Sequence, residues 1–413
     1  MFTYSSKSIE QRIGLMLVIT ILFIDMLLYS LLIPITPYLT ELLHPSSTMI
    51  GILFGSYAVA LLAFTPIFGP LSDRIGRKKP LLIGLAGMVL STLLFAYANS
   101  MWMLITARFM QGVGAAATWT SALALLADLF PPNKRGTVMG MALTGISTGS
   151  LLGAPLGGWL LDIGGYQTPF LFAAGLSLVT IVLVVYLLPQ PERIKQNEQA
   201  AGGTFRLLRN RSVLFIAIVV LLSETTLTLL EPIIPVFLTE QLALSSTAIG
   251  LLFAASILAY GGIAPISGAL SNRFNPRSLM LIGLSCLALT LPLIAMSHTT
   301  WQHACALIAV GASVGFALSP TLPSLSAVVD NGTQDGAYGS AFALFNMFHA
   351  VGMIAGPLIG GALTDWLSVP SAIWTISSVL LLGVILLHLY NRHALGNRKN
   401  ATQRNQLMLT NQK

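Results

Sequence analysis

The sequence has few charged residues: only 8% of its 413 residues are Asp, Glu, Lys or Arg, whereas 55% are apolar. A typical soluble domain has about 25% charged residues, so this composition excludes a water-soluble protein. Apolar runs of about 20 residues, long enough to cross a bilayer, recur along nearly the whole chain and leave no room for a separate soluble domain. We therefore expect an integral, multi-pass membrane protein.

Cysteine is also scarce, since the chain has only two, Cys286 and Cys305, in separate apolar runs. This spacing excludes a disulfide framework and a cysteine-rich metal site. We find no phosphate-binding loop, metal-ligand cluster or nucleophile triad in the sequence. An enzyme is therefore not expected, and neither is a cofactor or a metal. The first apolar run lacks a small-residue cleavage site and is too long for a signal peptide, so it is interpreted as a membrane span.

The apolar runs are predicted to be α-helices, because backbone groups in lipid must be hydrogen-bonded internally. Each is long enough to cross the membrane once, so the prediction is an all-α membrane protein with twelve spans. The spans are predicted at 13–42, 48–70, 80–99, 101–129, 136–162, 167–188, 213–240, 246–270, 277–297, 300–329, 337–364 and 369–391.

Alternate loops contain no Lys or Arg. Of the 21 basic residues, 20 lie in the two termini and in the loops after the even-numbered spans, and Arg108 lies inside the fourth span. Cytoplasmic loops carry the excess of Lys and Arg, so both termini are predicted to be cytoplasmic. The net charge of +7 is thereby interpreted as a result of topology rather than as a nucleic-acid surface.

The one long hydrophilic connection divides the chain into two sets of six spans. We predict a bundle over 1–188, a cytoplasmic linker over 189–212, a second bundle over 213–391 and a cytoplasmic tail over 392–413.

The two halves resemble each other in sequence. SSTMIGILFGSYAVALLAFTPIFGPLSDRIGRK, from Ser46, is repeated as SSTAIGLLFAASILAYGGIAPISGALSNRFNPR, from Ser245, and LLGAPLGG, from Leu151, returns as IAGPLIGG, from Ile354. Such repeats are typical of secondary transporters, whose binding site lies near the membrane midplane between the repeats.

Three of the 14 acidic residues lie inside apolar spans: Asp25, Glu224 and Glu231. A carboxylate at that depth costs roughly 2.5–3.5 kcal/mol on insertion scales, so we expect a functional role. Glu224 and Glu231 are seven residues apart and share a helix face. The repeat places Glu224 where Asp25 stands in the first half, so these two are predicted to face each other across the pseudo-two-fold axis. Arg108 is the only mid-span base available to neutralise the three carboxylates.

These acids are predicted to bind a proton and a cationic substrate alternately. Burial disfavours the charged carboxylate and promotes protonation, whereas a bound cation favours the charged form. Competition between the two, combined with alternating access, is sufficient for antiport. Tyr29, Trp119 and Asn346 are predicted to line the same site, the aromatic rings through cation–π contacts. The alternative is that the acids stay protonated and serve only as hydrogen-bond donors between helices.

Three motifs stand out in the first half. The loop GPLSDRIGRKK contains Asp73 and Arg77, which are expected to form a local charge network. The fourth span contains ARFMQGVGAA, with Arg108 and Gln111; Arg108 is predicted either to bond backbone carbonyls or to take part directly in proton coupling. The fifth span reads GISTGSLLGAPLGG, and small residues at this spacing allow helices to approach closely. The residues of this third motif are Gly145, Gly149, Gly153, Pro155, Gly157 and Gly158.

All three motifs resemble signatures of the major facilitator superfamily, and the third resembles the signature of its drug:proton antiporters, apart from the intervening Ala154. DMLLYSLLIPITP, LLEPIIP and AYGSAFALFN are similar to stretches of the vesicular monoamine transporters and their bacterial drug-antiporter relatives. The resemblance implies two pseudo-symmetric six-helix bundles that exchange lipophilic cations for protons, without a cofactor. It further implies that Asp128 pairs with the Asp73–Arg77 loop and latches the cytoplasmic side when the site faces outward.

The sequence departs from the monoamine transporters at several positions. The lysine of their second helix falls on Tyr57, and aspartates of their tenth and eleventh helices fall on about Leu318 and on Asn346. Their large loop between the first two helices is absent, so we expect a bacterial plasma membrane rather than a vesicle. We also expect a monomer that contacts lipid, small cationic substrates and protons. The alternative functions are a proton-coupled symporter or uniporter of a neutral solute, and a membrane receptor or scaffold.

Overall fold

The computed structural model describes residues 3–188, 210–271, 273–330 and 338–410, which fold into helices joined by short connections. Twelve of these segments are long and apolar enough to cross a membrane, as the sequence predicted. Most of the predicted linker 189–212, and Asn272 of the second-half loop, lie outside the described residues. The helices are α1 (Thr3–Leu31), α2 (Thr36–Leu43), α3 (Ser47–Ile75), α4 (Lys78–Ala96), α5 (Met101–Leu129), α6 (Pro132–Gly164), α7 (Gln167–Leu187), α8 (Arg211–Leu242), α9 (Ser246–Leu270), α10 (Pro276–Met296), α11 (Thr300–Leu318), α12 (Thr321–Asp330), α13 (Tyr338–Trp366) and α14 (Val369–Thr410).

The first span is made of two helices. A 3-10 turn over Ile33–Ile35 separates α1 from α2, because Pro34 and Pro37 cannot donate a backbone hydrogen bond to the preceding turn. The corresponding α8 keeps Pro232 and Pro235 inside one continuous helix. The two halves of the repeat therefore use similar proline pairs in different ways.

The two halves are built on one plan. In the first half α1 packs on α6, α3 on α5, and α4 on both α5 and α7. In the second half α8 packs on α13, α9 on α11, and α10 on both α11 and α14. The halves meet through two symmetric pairs, α3 with α13 and α6 with α9. The sequence repeat is thus a structural repeat, and the acid-bearing helices α1 and α8 occupy equivalent places.

The pairs that join the halves are tightly packed near one membrane surface, which we call the far side because it is opposite the chain termini. A Cβ added to Gly51 of α3 would lie 2.3 Å from the Pro357 carbonyl oxygen, and one added to Gly158 of α6 would lie 2.1 Å from that of Ser246. Gly250 approaches Ala154 in the same way, at 2.4 Å. Only glycine allows backbones to come this close, so the far side is sealed.

Glycines nearer the termini side of the same helices have no such close contacts. A Cβ added to Gly69 of α3, Gly140 of α6, or Gly261 and Gly262 of α9 would meet no atom within 4 Å. Each of these helices also has a glycine nearer the far side, and that glycine lies close to the backbone of the opposite half. Among the described glycines of α3, α6 and α9, the close backbone contacts between the halves are therefore found on the far side.

Candidate functional site

Asp25 is completely buried in the first half, with 0% of its surface exposed. Its Oδ2 accepts a hydrogen bond from the Tyr57 hydroxyl at 3.0 Å and another from the indole Nε1 of Trp119. Its Oδ1 lies within the protein and has no hydrogen-bond partner among the described residues. A buried carboxylate oxygen without a partner is costly, so Asp25 is suited to take up a proton on this oxygen.

Glu231 links the two halves. The hydroxyl of Tyr29, on α1, donates to Oε2 of Glu231, on α8, at 2.7 Å. The Tyr29 ring also packs edge-on against the Tyr57 ring, with centroids 5.0 Å apart. Asp25, Tyr57, Tyr29 and Glu231 thus form a continuous chain of contacts from the first half to the second.

Arg108 lies beside this chain in an aromatic cage and is only 1% exposed. Its guanidinium carbon is 4.5 Å from the centre of the Tyr29 ring, 5.2 Å from that of Tyr57 and 5.6 Å from that of Phe54. It donates to the Tyr29 carbonyl oxygen at 3.2 Å and to Oε1 of Gln111 at 2.9 Å. This geometry matches the predicted contact with a backbone carbonyl, and the positive charge stabilises the surrounding tyrosines by cation–π contacts.

Glu224 has a partner on α13, within the second half. The described contacts do not place it against Asp25, which Tyr57 and Trp119 hold within the first half. Instead, Oε1 of Glu224 lies 3.0 Å from Nδ1 of His349 on α13. That Asp25 and Glu224 face each other across the pseudo-two-fold axis remains a prediction.

The remaining lining residues are placed as follows. Trp119 is partly buried and contacts Asp25, as the predicted lining role requires. Asn346 is exposed, and among the described residues no hydrogen bond joins it to the three acids. The contact of Tyr57 with Asp25 and the pairing of His349 with Glu224 were not predicted from the sequence. Tyr57 could have been found from its place at the family's helix 2 lysine, whereas no sequence signal indicates the partner of His349.

The glycine motif of α6 holds the helix that carries Asp25. A Cβ on Gly145 would lie 2.4 Å from the Ile19 carbonyl oxygen, one on Gly149 2.2 Å from that of Phe23, and one on Gly153 2.5 Å from that of Leu27. Gly157 continues this contact, whereas Gly158 contacts α9, and the Cα of Pro155 lies 2.9 Å from a Cβ placed on Gly250. One face of the motif therefore packs against α1, and the other packs against α9 of the second half on the far side.

The charge network predicted around Arg77 is present. Its Nε donates to Oδ2 of Asp128 at 2.7 Å, and its NH1 donates to Asp73 and to the Ser72 hydroxyl. Burial alone would lower the pKa of Arg77, but the two carboxylates outweigh this effect and raise it. All four residues belong to the first half, so these contacts join α5 to the α3–α4 loop rather than one half to the other. The predicted gate role remains a prediction.

Comparison with known sequences identifies the class. The sequence profile described as the Major Facilitator Superfamily matches residues 18–226 and 216–411, so the chain belongs to that family of membrane transporters and is not an enzyme. It is 30% identical over 335 residues to the chromaffin granule amine transporter of Rattus norvegicus, which covers 80% of this chain and 63% of that protein. The chain thus spans less than two thirds of that relative. It is 29% identical to the MFS-type transporter SLC18B1 of Homo sapiens over 91% of this chain and 86% of that protein.

Solved structures agree on the fold. A bacterial homologue of the human lysosomal transporter Spinster, in an inward-facing and unoccupied conformation, superimposes with a TM-score of 0.81 over 93% of this chain and 97% of its own, at 13% identity. The nucleoside transporter NupG superimposes with a TM-score of 0.75 over 91% of this chain and 98% of its own, at 15% identity. At these identities the similarity concerns the major facilitator fold alone.

Proposed function

We propose that this transporter exports lipophilic organic cations, including amines, in exchange for protons by alternating access. The observation that carries the proposal is the buried chain from Asp25 to Glu231, in which one Asp25 oxygen has no partner. The chromaffin granule amine transporter among its relatives supports an amine-like substrate class. No cofactor is needed in this scheme, since the proton is the coupling ion.

The imbalance between buried acidic and basic side chains explains the exchange. Asp25, Glu224 and Glu231 supply three carboxylates, whereas Arg108 supplies one permanent positive charge and is enclosed in its aromatic cage. Charges left unpaired in the membrane are expensive, so the remaining negative charge must be balanced by protons or by a cation. Glu231 is the least buried of the three acids. A cation that binds at Glu231 and protons that bind at the acids therefore compete, which couples their movements.

The orientation follows from the basic residues. All 20 Lys and Arg residues outside Arg108 lie in the termini or in the loops predicted on the same side, and we propose on this ground that the termini side is cytoplasmic. In this scheme the tightly packed far side faces away from the cytoplasm, and the exporter takes up its substrate from the cytoplasmic side. We propose a plasma-membrane location, a monomeric state and surrounding lipid as the other features of this scheme.

The transport direction is tested with purified protein in proteoliposomes. When the lumen is more acidic than the bath, a fluorescent organic cation should accumulate inside. If one proton is exchanged per cation, a difference of one pH unit should give a ratio of inside to outside cation concentration of about ten. Dissipation of the gradient with a protonophore should abolish the accumulation, and protein-free liposomes serve as the control. Accumulation only when the bath is the acidic side would indicate the symport alternative, and no effect of the gradient would indicate a uniporter; either result contradicts the proposal.

On the far side, two carboxylates form hydrogen bonds between the two halves. Oδ1 of Asp365, at the end of α13, accepts from the backbone N–H of Ser47 at 2.7 Å, and its Oδ2 accepts from that of Thr48 at 3.0 Å. Oδ2 of Asp162, at the end of α6, accepts from the backbone N–H of Thr247 at 2.9 Å. Each acid thus caps the first turn of a helix in the opposite half, where negative charge is favourable. Opening of the far side must break both caps.

Removal of the two caps should shift the protein towards the far-side-open state. The Asp162→Ala, Asp365→Ala double variant loses about 1 kcal/mol per cap, so the open population should rise by roughly 30-fold. The readout is the modification rate of a Leu53→Cys variant by a membrane-impermeant thiol reagent applied from the far side. Leu53 is 1% exposed, and Cys286 and Cys305 are exposed and are replaced by serine in this background.

Asp162→Asn is the matched control. Oδ2 of Asp162 accepts both of its bonds to Thr247, and an amide oxygen in its place accepts them equally well. This variant should be labelled at nearly the rate of the parent protein. Equal labelling of the double alanine variant and the parent would show that the caps do not hold the far side closed.

A further inference from the structure

Glu224 and His349 form a separate acid–base pair in the second half. Nδ1 of His349 lies 3.0 Å from Oε1 of Glu224, and the glutamate side chain is 8% exposed whereas the imidazole is 37% exposed. The Phe345 ring lies nearly parallel to the imidazole, at 10° and 6.3 Å between centroids. The buried acid is thus covered by a base that is itself partly exposed.

The backbone around this pair is tightly constrained. A Cβ on Gly352 of α13 would lie 2.6 Å from the Cβ of Glu224. The Thr228 hydroxyl donates to the Glu224 carbonyl oxygen at 2.8 Å and to the Gly352 carbonyl oxygen at 3.2 Å. These contacts hold α8 against α13, so the backbones that carry the acid and the base are kept close together.

The pair lies beside the Asp25–Glu231 chain, and no described hydrogen bond joins the two. Among the described residues, the other titratable groups that act on it electrostatically are Glu231 on α8, Tyr29 on α1 and Tyr260 on α9. None of these is a permanent cation, and the described hydrogen bonds of Asp25 do not extend to Glu224. The pair can therefore change its proton content without breaking the chain that joins Asp25 to Glu231.

We propose that Glu224 and His349 form a second proton-binding site, distinct from the Asp25–Glu231 chain. The cation that fits it is a proton rather than an organic cation or a metal. His349 covers the carboxylate, and a protonated imidazole repels a second cation. Among the described residues no three His, Cys, Asp or Glu side chains come together as metal ligands. Because an acid and a base share the site, it holds a bound proton as an imidazolium–carboxylate pair that is neutral overall.

This site adds a proton to the exchange cycle, a consequence that rests on the proposed antiport. When the cavity is open to the termini side, the exposed face of His349 can pass its proton to water. When the halves rock and the far side opens, the pair can reload from the other side. The first half lacks this device, because the repeat places Ile146 where His349 stands in the second half.

The first test is independent of transport. The protein has six histidines, which are labelled with 13C and observed by NMR in nanodiscs. The His349 resonance is assigned from its loss in the His349→Gln variant. It is then followed from about pH 5 to 9, the range around the ordinary pKa of histidine. The resonance should titrate, and Glu224→Gln should move its midpoint because a neutral amide no longer stabilises the imidazolium. The matched control, Glu41→Gln, replaces an exposed acid and should leave the midpoint unchanged.

The second test measures coupling in proteoliposomes. The ratio of proton flux to organic-cation flux should fall by one proton per cation in His349→Gln, while cation accumulation persists. A His349 resonance that does not titrate, or whose midpoint Glu224→Gln leaves unchanged, would overturn the proton site, as would an unaltered flux ratio in a folded His349→Gln protein. A titrating pair in a protein that does not exchange cations for protons would refute the antiport proposal and leave the proton site standing.

Discussion

The Asp25→Asn variant should lose proton-driven accumulation of organic cations while it keeps its fold. The amide oxygen of asparagine can accept the hydrogen bonds that Tyr57 and Trp119 donate to Oδ2 of Asp25, so the packing around it is retained. What disappears is the group that binds a proton at the unpartnered Oδ1. In the proteoliposome assay, the parent protein should accumulate the cation about tenfold for one pH unit when one proton is exchanged. The variant should accumulate no more cation than the parent does without a proton gradient.

The same assay separates coupling from binding. Asp25 is fully buried and Glu231 is less buried, so Asp25→Asn should still bind the fluorescent cation, with an affinity measured by anisotropy in detergent. Glu41→Gln, an exposed substitution in the same span, should transport as the parent does. Normal gradient-driven accumulation by a folded Asp25→Asn protein would remove Asp25 from the coupling mechanism.

Much of the architecture could be predicted because membrane insertion imposes simple rules. Lipid requires apolar helices of about 20 residues, and this requirement makes the twelve spans visible in the sequence. The same solvent makes a mid-span acid costly, so Asp25 and Glu231 stand out as candidates without any structure. The glycine motif was also predictable, since small residues at intervals of four mark a face where helices approach closely.

The partners of these acids could not be predicted, because they come from helices distant in sequence. The Tyr57 hydroxyl reaches Asp25 from α3, and Tyr29 reaches Glu231 across the boundary between the halves. At Glu224 the repeat correctly makes α1 and α8 equivalent but says nothing of His349 on α13. Side-chain chemistry diverges between the halves even where the helix packing is the same.

This difference assigns distinct roles to the repeated elements. The glycines on α6 and α13 hold the acid-bearing helices α1 and α8 in equivalent positions. The side chains on those helices then differ: an aromatic-bound acid in the first half, and a histidine-bound acid in the second. The backbone repeat thus provides the symmetric movement, and the unlike partners give each acid its own conditions for proton binding.

The Gly149→Ala variant should therefore be among the most damaging of the small substitutions outside the acidic site. An added Cβ would lie 2.2 Å from the Phe23 carbonyl oxygen and 3.0 Å from the Leu27 nitrogen, both on the α1 backbone. Backbone cannot rotate away as a side chain can, so α6 and α1 must move apart. Overpacking of this kind costs about 1–3 kcal/mol, and the shift displaces Asp25, which lies between Phe23 and Leu27 on α1.

Gly175→Ala is the matched control for this substitution. Gly175 lies in α7, and a Cβ there would meet no atom within 4 Å. Alanine is favoured over glycine inside a helix by up to about 1 kcal/mol, so this variant should melt at or above the temperature of the parent and transport normally. Gly149→Ala should melt lower in detergent and lose gradient-driven accumulation. If the two variants behave alike, the close contact of α6 with α1 does not set the position of Asp25, and the acid must be held by Tyr57 and Trp119 alone.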